Sequence, residues 1–157
     1  MSPKGRCRDW DVRQRADTSA EWTRSPRRPL LVLPESGVVK TGNTVLVVED
    51  DPSLLMMLSV TLRSSGHEVV LSSDAELALE TLPEESPDVI LCDVNLPGMK
   101  GTEFTEIVKS TPLLADTPVV LMSAYDEPTS HAADRFVSKP FDPIEVTELV
   151  EELACRQ

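Results

Sequence analysis

Asp93 closes the apolar run Val89-Ile90-Leu91-Cys92 and is followed by Val94-Asn95-Leu96-Pro97-Gly98. An acid at the end of a buried strand, just before a turn, stands where open α/β sheets place their chemistry. Three more runs deliver polar groups in the same way. Val45-Leu46-Val47-Val48 leads into Glu49, Asp50 and Asp51. Val119-Val120-Leu121-Met122 leads into Ser123 and Ala124, and Phe136-Val137-Ser138 into Lys139-Pro140-Phe141. Acids, a further acid, a hydroxyl and an amine thus stand at strand ends, and they act as one site if the fold gathers them.

The elements that must gather them alternate from residue 44 onward. Residues 44–48 form a continuous apolar run, as expected of a strand buried on both faces. Asp51-Pro52 offers an N-cap and a proline at the first helical position. Leu54, Leu58 and Leu62 follow four residues apart as one buried stripe, and Gly66 ends the helix. Residues 68–72 read as a second strand. Asp74 can cap a helix carrying Leu77, Leu79 and Leu82 up to Pro83. Residues 88–93 are the third strand. Residues 101–110 are helical, with Phe104, Ile107 and Val108 expected to face inward. Strands follow at 118–123 and 135–138. Asp142-Pro143 repeats the cap-plus-proline start of a last helix bearing Ile144, Val146, Leu149, Val150 and Leu153.

Five strand-then-helix units imply an α/β fold, a doubly wound five-stranded parallel sheet with helices on both faces. The flavodoxin-like order 2-1-3-4-5 sets the first and third strands side by side, with a crevice at their C-terminal ends. That order brings Glu49, Asp50 and Asp93 together. At about 4 Å and an effective dielectric near 20, each pair of carboxylates repels by roughly 4 kcal/mol. Such a cluster must protonate, separate or hold a cation. A hard, oxygen-rich site with few protein ligands suits Mg²⁺. Asp93 is then a candidate nucleophile, since a carboxylate can form an aspartyl phosphate. Phosphoryl transfer depends mainly on positioning and charge neutralisation, to which the compact Lys139 ammonium is suited.

The ordered set Glu49-Asp50, Asp93, Ser123 and Lys139-Pro140-Phe141 resembles the receiver domain of two-component response regulators, over about residues 43–156. The resemblance implies Asp93 as phosphoacceptor, with Lys139 and Ser123 completing the catalytic set. It implies Asp50 and Asp93 as direct Mg²⁺ ligands, Glu49 as a ligand directly or through water, and the backbone carbonyl of Asn95 as a third protein ligand. Asp51 is left as the helix cap. Ser123 and Phe136 take the switch positions, and Asn95 and Tyr125 flank the path of the hydrolytic water. Lys139-Pro140 matches the family's cis peptide. Implied partners are a histidine kinase or a histidine phosphotransfer protein, with a downstream protein that the sequence does not name. His67 and His131 are read as incidental surface residues.

The chain departs from the family between Ser123 and Lys139, where receivers usually have about six more residues. The shortfall falls on the family's fourth helix. Residues 126–134 contain Pro128 and few apolar side chains, so that helix is expected to be short or missing. The phosphorylation site reads as complete and the output face as altered.

Residues 1–42 lack apolar periodicity and read as a disordered or mis-started extension, leaving 43–157 as the receiver domain. The net charge of −12 divides unevenly: residues 1–29 carry +4 and residues 30–157 carry −16. An acidic domain repels phosphates, so direct DNA binding is not expected. Cys7, Cys92 and Cys155 show no metal-like or C-x-x-C spacing. No apolar run is long enough to span a membrane or to form a signal-peptide core, which points to a cytoplasmic protein with no membrane contact. The sequence stops at Gln157, directly after the last helix, so a single-domain regulator is expected.

The expected function is a phosphorylation-dependent switch acting through protein contacts. It is not expected to be an enzyme beyond its own phosphorylation and dephosphorylation. A phosphorelay shuttle and a phosphorylation-independent scaffold are the alternatives. An aspartate-based phosphohydrolase fits less well, because Asn95 stands where such enzymes place a second acid.

Overall fold

The computed structural model describes residues 42–155. The extension expected over 1–42 therefore lies, Gly42 apart, outside the described residues. The strands are β1 (Thr44–Val48), β2 (Glu68–Ser72), β3 (Val89–Asp93), β4 (Val119–Ser123) and β5 (Arg135–Ser138). The helices are α1 (Pro52–Ser64), α2 (Ala75–Glu85), α3 (Gly101–Ser110) and α4 (Pro143–Ala154). All strand pairs are parallel, in the order β2-β1-β3-β4-β5. This is the expected doubly wound sheet.

Two apolar layers flank it. Alternate residues of a strand point to opposite faces. Val45 and Val47 pack with Leu58 and Leu62 of α1 and with Val146 and Val150 of α4. Leu46 and Val48 pack with Ala78 and Leu82 of α2 and with Phe104 and Val108 of α3. The central strands β1, β3 and β4 are almost wholly buried, which accounts for their unbroken apolar runs. Their backbone is committed to sheet pairing, so the side chains just past their ends are free to face a crevice.

The expected caps form. Asp51 accepts from the Ser53 and Leu54 amides, Asp74 from Leu77 and Asp142 from Ile144, and α1 and α4 each begin on a proline. Ile107 does not face inward as expected, being 40% exposed, and Leu77 and Ile144 also lie outward at 45% and 63%. Small or polar neighbours take the inward stripe instead, namely Ala75 and Ala78 on α2, Thr105 on α3 and Thr147 on α4. Pro83 does not stop α2, which runs on to Glu85 and ends at Ser86 with a left-handed φ of 42°. The proline lies in the last turn, so only one intrahelical bond is forfeited there.

His67 is not a surface residue. It is buried, and its Nδ1 accepts from the Asn43 amide at 3.3 Å. His131 also has a mostly covered side chain, with Nε2 2.9 Å from Glu127 Oε1. Residues 124–134, between β4 and β5, contain no helix, in line with the expected loss of the family's fourth helix. Pins take its place. The Tyr125 amide donates to Ser123 Oγ at 3.0 Å. Asp134 Oδ2 accepts from the Val119 amide at 2.8 Å and pairs with Lys109 Nζ at 2.7 Å.

Candidate functional site

Four strand ends meet at one edge of the sheet. Val48 pairs with Cys92, Asp93 with Met122, and Ser123 with Ser138, so Glu49, Asp93, Ser123 and Lys139 fall side by side. The Lys139 amide donates to the Ser123 carbonyl at 2.7 Å and extends the β4–β5 ladder one step. The Lys139–Pro140 peptide is cis.

Lys139 Nζ donates to Asp93 Oδ1 at 2.8 Å and to Glu49 Oε2 at 2.7 Å. Both carboxylates are buried, while Asp50 is exposed. The other oxygens are also engaged. Glu49 Oε1 accepts from the Asp51 amide at 3.3 Å, and Asp93 Oδ2 from the Asn95 amide at 2.9 Å. One carboxylate oxygen each from Glu49, Asp50 and Asp93 lies within 4.8 Å of the others. Burial pushes the Glu49 carboxyl above its usual range, against the pull of Lys139. Burial works against the Lys139 ammonium, but its hydrogen bonds to Asp93 and Glu49 outweigh that and raise its pKa. Charge balance at this edge therefore rests on contacts among these groups rather than on solvent.

The other expected residues differ in exposure. Ser123 is buried and its Oγ faces the Tyr125 amide. The Tyr125 ring is 74% exposed, and Asn95 is exposed. Phe136 is half-buried against the α2–α3 layer. Asp51 serves the helix and stays out of the acidic cluster.

Sequence patterning does not single out Gly101, yet the site depends on it. A Cβ there would stand 2.1 Å from the Asp93 carbonyl oxygen, and the Gly101 amide donates to Val94 O at 3.0 Å. The start of α3 thus rests directly on the backbone of Asp93, and only glycine allows that approach. The one signal in the sequence is a glycine opening a helix soon after Pro97-Gly98.

A model of the response regulator receiver domain matches residues 45–151. The chain belongs to this family. It is 34% identical over 118 residues to the alkaline phosphatase synthesis transcriptional regulatory protein PhoP of Bacillus subtilis, covering 71% of this chain and 48% of that protein. It is also 34% identical over 112 residues to the DNA-binding response regulator MtrA of Mycolicibacterium smegmatis, covering 68% and 48% respectively. The chain thus spans about half the length of the curated relatives it matches. Among solved structures, the chemotaxis response regulator CheY4 of Vibrio cholerae shares 30% identity at a TM-score of 0.67, over 72% of this chain and 99% of that one. This receiver is a domain of two-component systems. No helix among the described residues is long and apolar enough to cross a membrane.

Proposed function

We propose that this receiver accepts a phosphoryl group on Asp93 from a phosphohistidine of a kinase or phosphotransfer protein, and signals through protein contacts. The observation that carries the reading is the Lys139 ammonium, 2.8 Å from Asp93 Oδ1 at the rim of the acidic cluster. An Asp93 oxygen attacks phosphorus. A P–O bond forms as the P–N bond breaks, and the imidazole leaves with the electron pair and takes up a proton. Lys139, already hydrogen-bonded to the attacking carboxylate, is within reach of the oxygens on which charge accumulates.

The acidic cluster fits Mg²⁺. Three clustered carboxylates share a single ammonium, which contacts Glu49 and Asp93, and all the donors are hard oxygens. Asp50 and Asp93 would hold the ion, with the Asn95 carbonyl. Glu49 would act directly or through water. When bound, the ion neutralises phosphoryl oxygens.

Ser123 would report the event. Its oxygen accepts from the Tyr125 amide, which leaves the hydroxyl proton available for a phosphoryl oxygen. A shift of Ser123 carries residue 125 and the helixless connection with it. Phe136, half-buried on β5, would be the ring that changes exposure. Asn95 and Tyr125 would tune hydrolysis.

Intact mass after incubation with acetyl phosphate and Mg²⁺ tests the reading. One added phosphoryl group, absent in Asp93→Ala and absent without Mg²⁺, is expected. Labelling of Asp93→Ala equal to wild type, or no labelling where an ordinary receiver is labelled, would sink it.

A further inference from the structure

Between α2 and α3 the surface forms a shallow, open groove. Met99 and Ile107 give it an apolar floor, and Glu76, Glu103 and Glu106 form its rim. Ser110 and Thr111 line its far end, and the lining holds no basic side chain. Ile107 is not needed by the core, because Phe104, Thr105 and Val108 already fill the inward face of α3. Two of the rim carboxylates are held by backbone. Glu76 Oε1 accepts from the Met99 amide and Glu103 Oε2 from the Lys100 amide, each at 3.0 Å. Their charges are fixed in place before any ligand arrives, which lowers the ordering cost of binding.

An accessible apolar floor between fixed carboxylates is the complement of an amphipathic segment bearing cations. We propose that the α2–α3 groove docks a basic amphipathic segment of a partner protein. An apolar side chain of that segment would seat on Met99 and Ile107, and its arginines or lysines would meet Glu76, Glu103 and Glu106. Nucleic acid is disfavoured, since the rim repels phosphate. A second copy of this acidic domain is disfavoured for the same reason, as residues 30–157 carry −16. The groove ends at Met99, on the connection that leaves Asp93, so an occupant would touch the loop running from the phosphoacceptor. Binding itself does not require phosphorylation.

The test is an NMR titration of the full chain with a synthetic helix-forming peptide of leucine, alanine and arginine. Shifts should cluster at Met99, Glu103, Ile107 and Thr111. Glu106→Lys and Ile107→Asp should each weaken binding about tenfold. Glu148→Lys on α4 changes net charge as much as Glu106→Lys and should leave binding as in wild type. Both positions in the groove are exposed, so the variants should melt like wild type. Ile107→Asp adds negative charge, so weaker binding there cannot come from bulk electrostatics. Shifts spread over α4, equal losses in Glu148→Lys and Glu106→Lys, or unchanged binding by Ile107→Asp would overturn the proposal. So would groove shifts that follow protein concentration without peptide, which would mark a contact between copies.

Discussion

Lys139 sits between two buried carboxylates at 2.7 and 2.8 Å, and no other cation contacts either of them among the described residues. Its position is fixed by the β5 ladder and by Glu49, so the ammonium is preorganised for Asp93. Lys139→Ala should lower the rate of phosphorylation by acetyl phosphate roughly 100-fold, the scale seen when one preorganised charge donor is removed. Lys139→Arg should restore little, because a planar fork cannot occupy a point-charge site between two carboxylates. Mass-shift time courses of the three proteins check both statements. His67 is a residue-scale case of another kind. Burial lowers its pKa below the usual value of about 6.5, with Glu151 and Asp88 pulling the other way. A folded-state pKa below the unfolded one means that the unfolded chain binds the extra proton. The stability it supports is complete above about pH 6.5 and erodes as pH falls through that value toward the folded pKa. Urea unfolding between about pH 7.5 and about pH 5.5 should cost wild type more stability than His67→Gln. Equal losses would show that the folded pKa of His67 is not lowered, with Glu151, whose Oε1 is 3.9 Å from Nε2, offsetting the burial.

At the scale of elements, Lys109 holds the two connections that flank β4. Its ammonium donates to the carbonyls of Ala115 and Thr117 at 3.2 and 2.8 Å and pairs with Asp134 at 2.7 Å. Lys109→Ala should cost about 1–3 kcal/mol, since it strips charged hydrogen bonds from partly buried acceptors. Amide exchange should speed up at Val119 and Asp134, which bond each other reciprocally, and stay unchanged in β2. Uniform acceleration would indicate global destabilisation instead of a local pin. None of these pins could be read from the sequence, because each joins residues whose pairing depends on a connection without periodicity. The strands were legible for the opposite reason: β1, β3 and β4 are buried on both faces, so their apolar runs stop where the sheet stops. The same stops placed Glu49, Asp93, Ser123 and Lys139 on one edge. The inward stripes of the helices were less legible, because Ala78, Thr105 and Thr147 face the sheet while Leu77, Ile107 and Ile144 do not. Small inward residues let a helix approach the sheet closely, and hydrophobicity alone does not reveal that choice. His67 escaped for want of an apolar neighbourhood in sequence; its burial comes from packing near α4 and the entry to β1.

For the whole molecule, the acidic cluster joins chain segments that only the folded sheet brings together. Glu49 and Asp50 follow β1, Asp93 ends β3, and Lys139 follows β5. A cation held there binds the native state and not the unfolded chain, so it should stabilise the entire domain by mass action. At about 100 times the dissociation constant the gain is about 2.7 kcal/mol. The melting temperature should rise with added Mg²⁺ and return to baseline with a chelator. Asp50 is exposed and takes no part in the Lys139 contacts, so Asp50→Asn should fold normally and melt near the wild-type value without metal. It should also lose most of the Mg²⁺-dependent rise. Differential scanning calorimetry across a Mg²⁺ series reads both effects. If Asp50→Asn keeps the full rise, the ion binds elsewhere on this acidic domain, and the cluster is then held together by Lys139 alone. If wild type shows no rise while Asp50→Asn melts higher, repulsion among the three carboxylates governs the stability of this edge, and the Lys139 ammonium does not offset it.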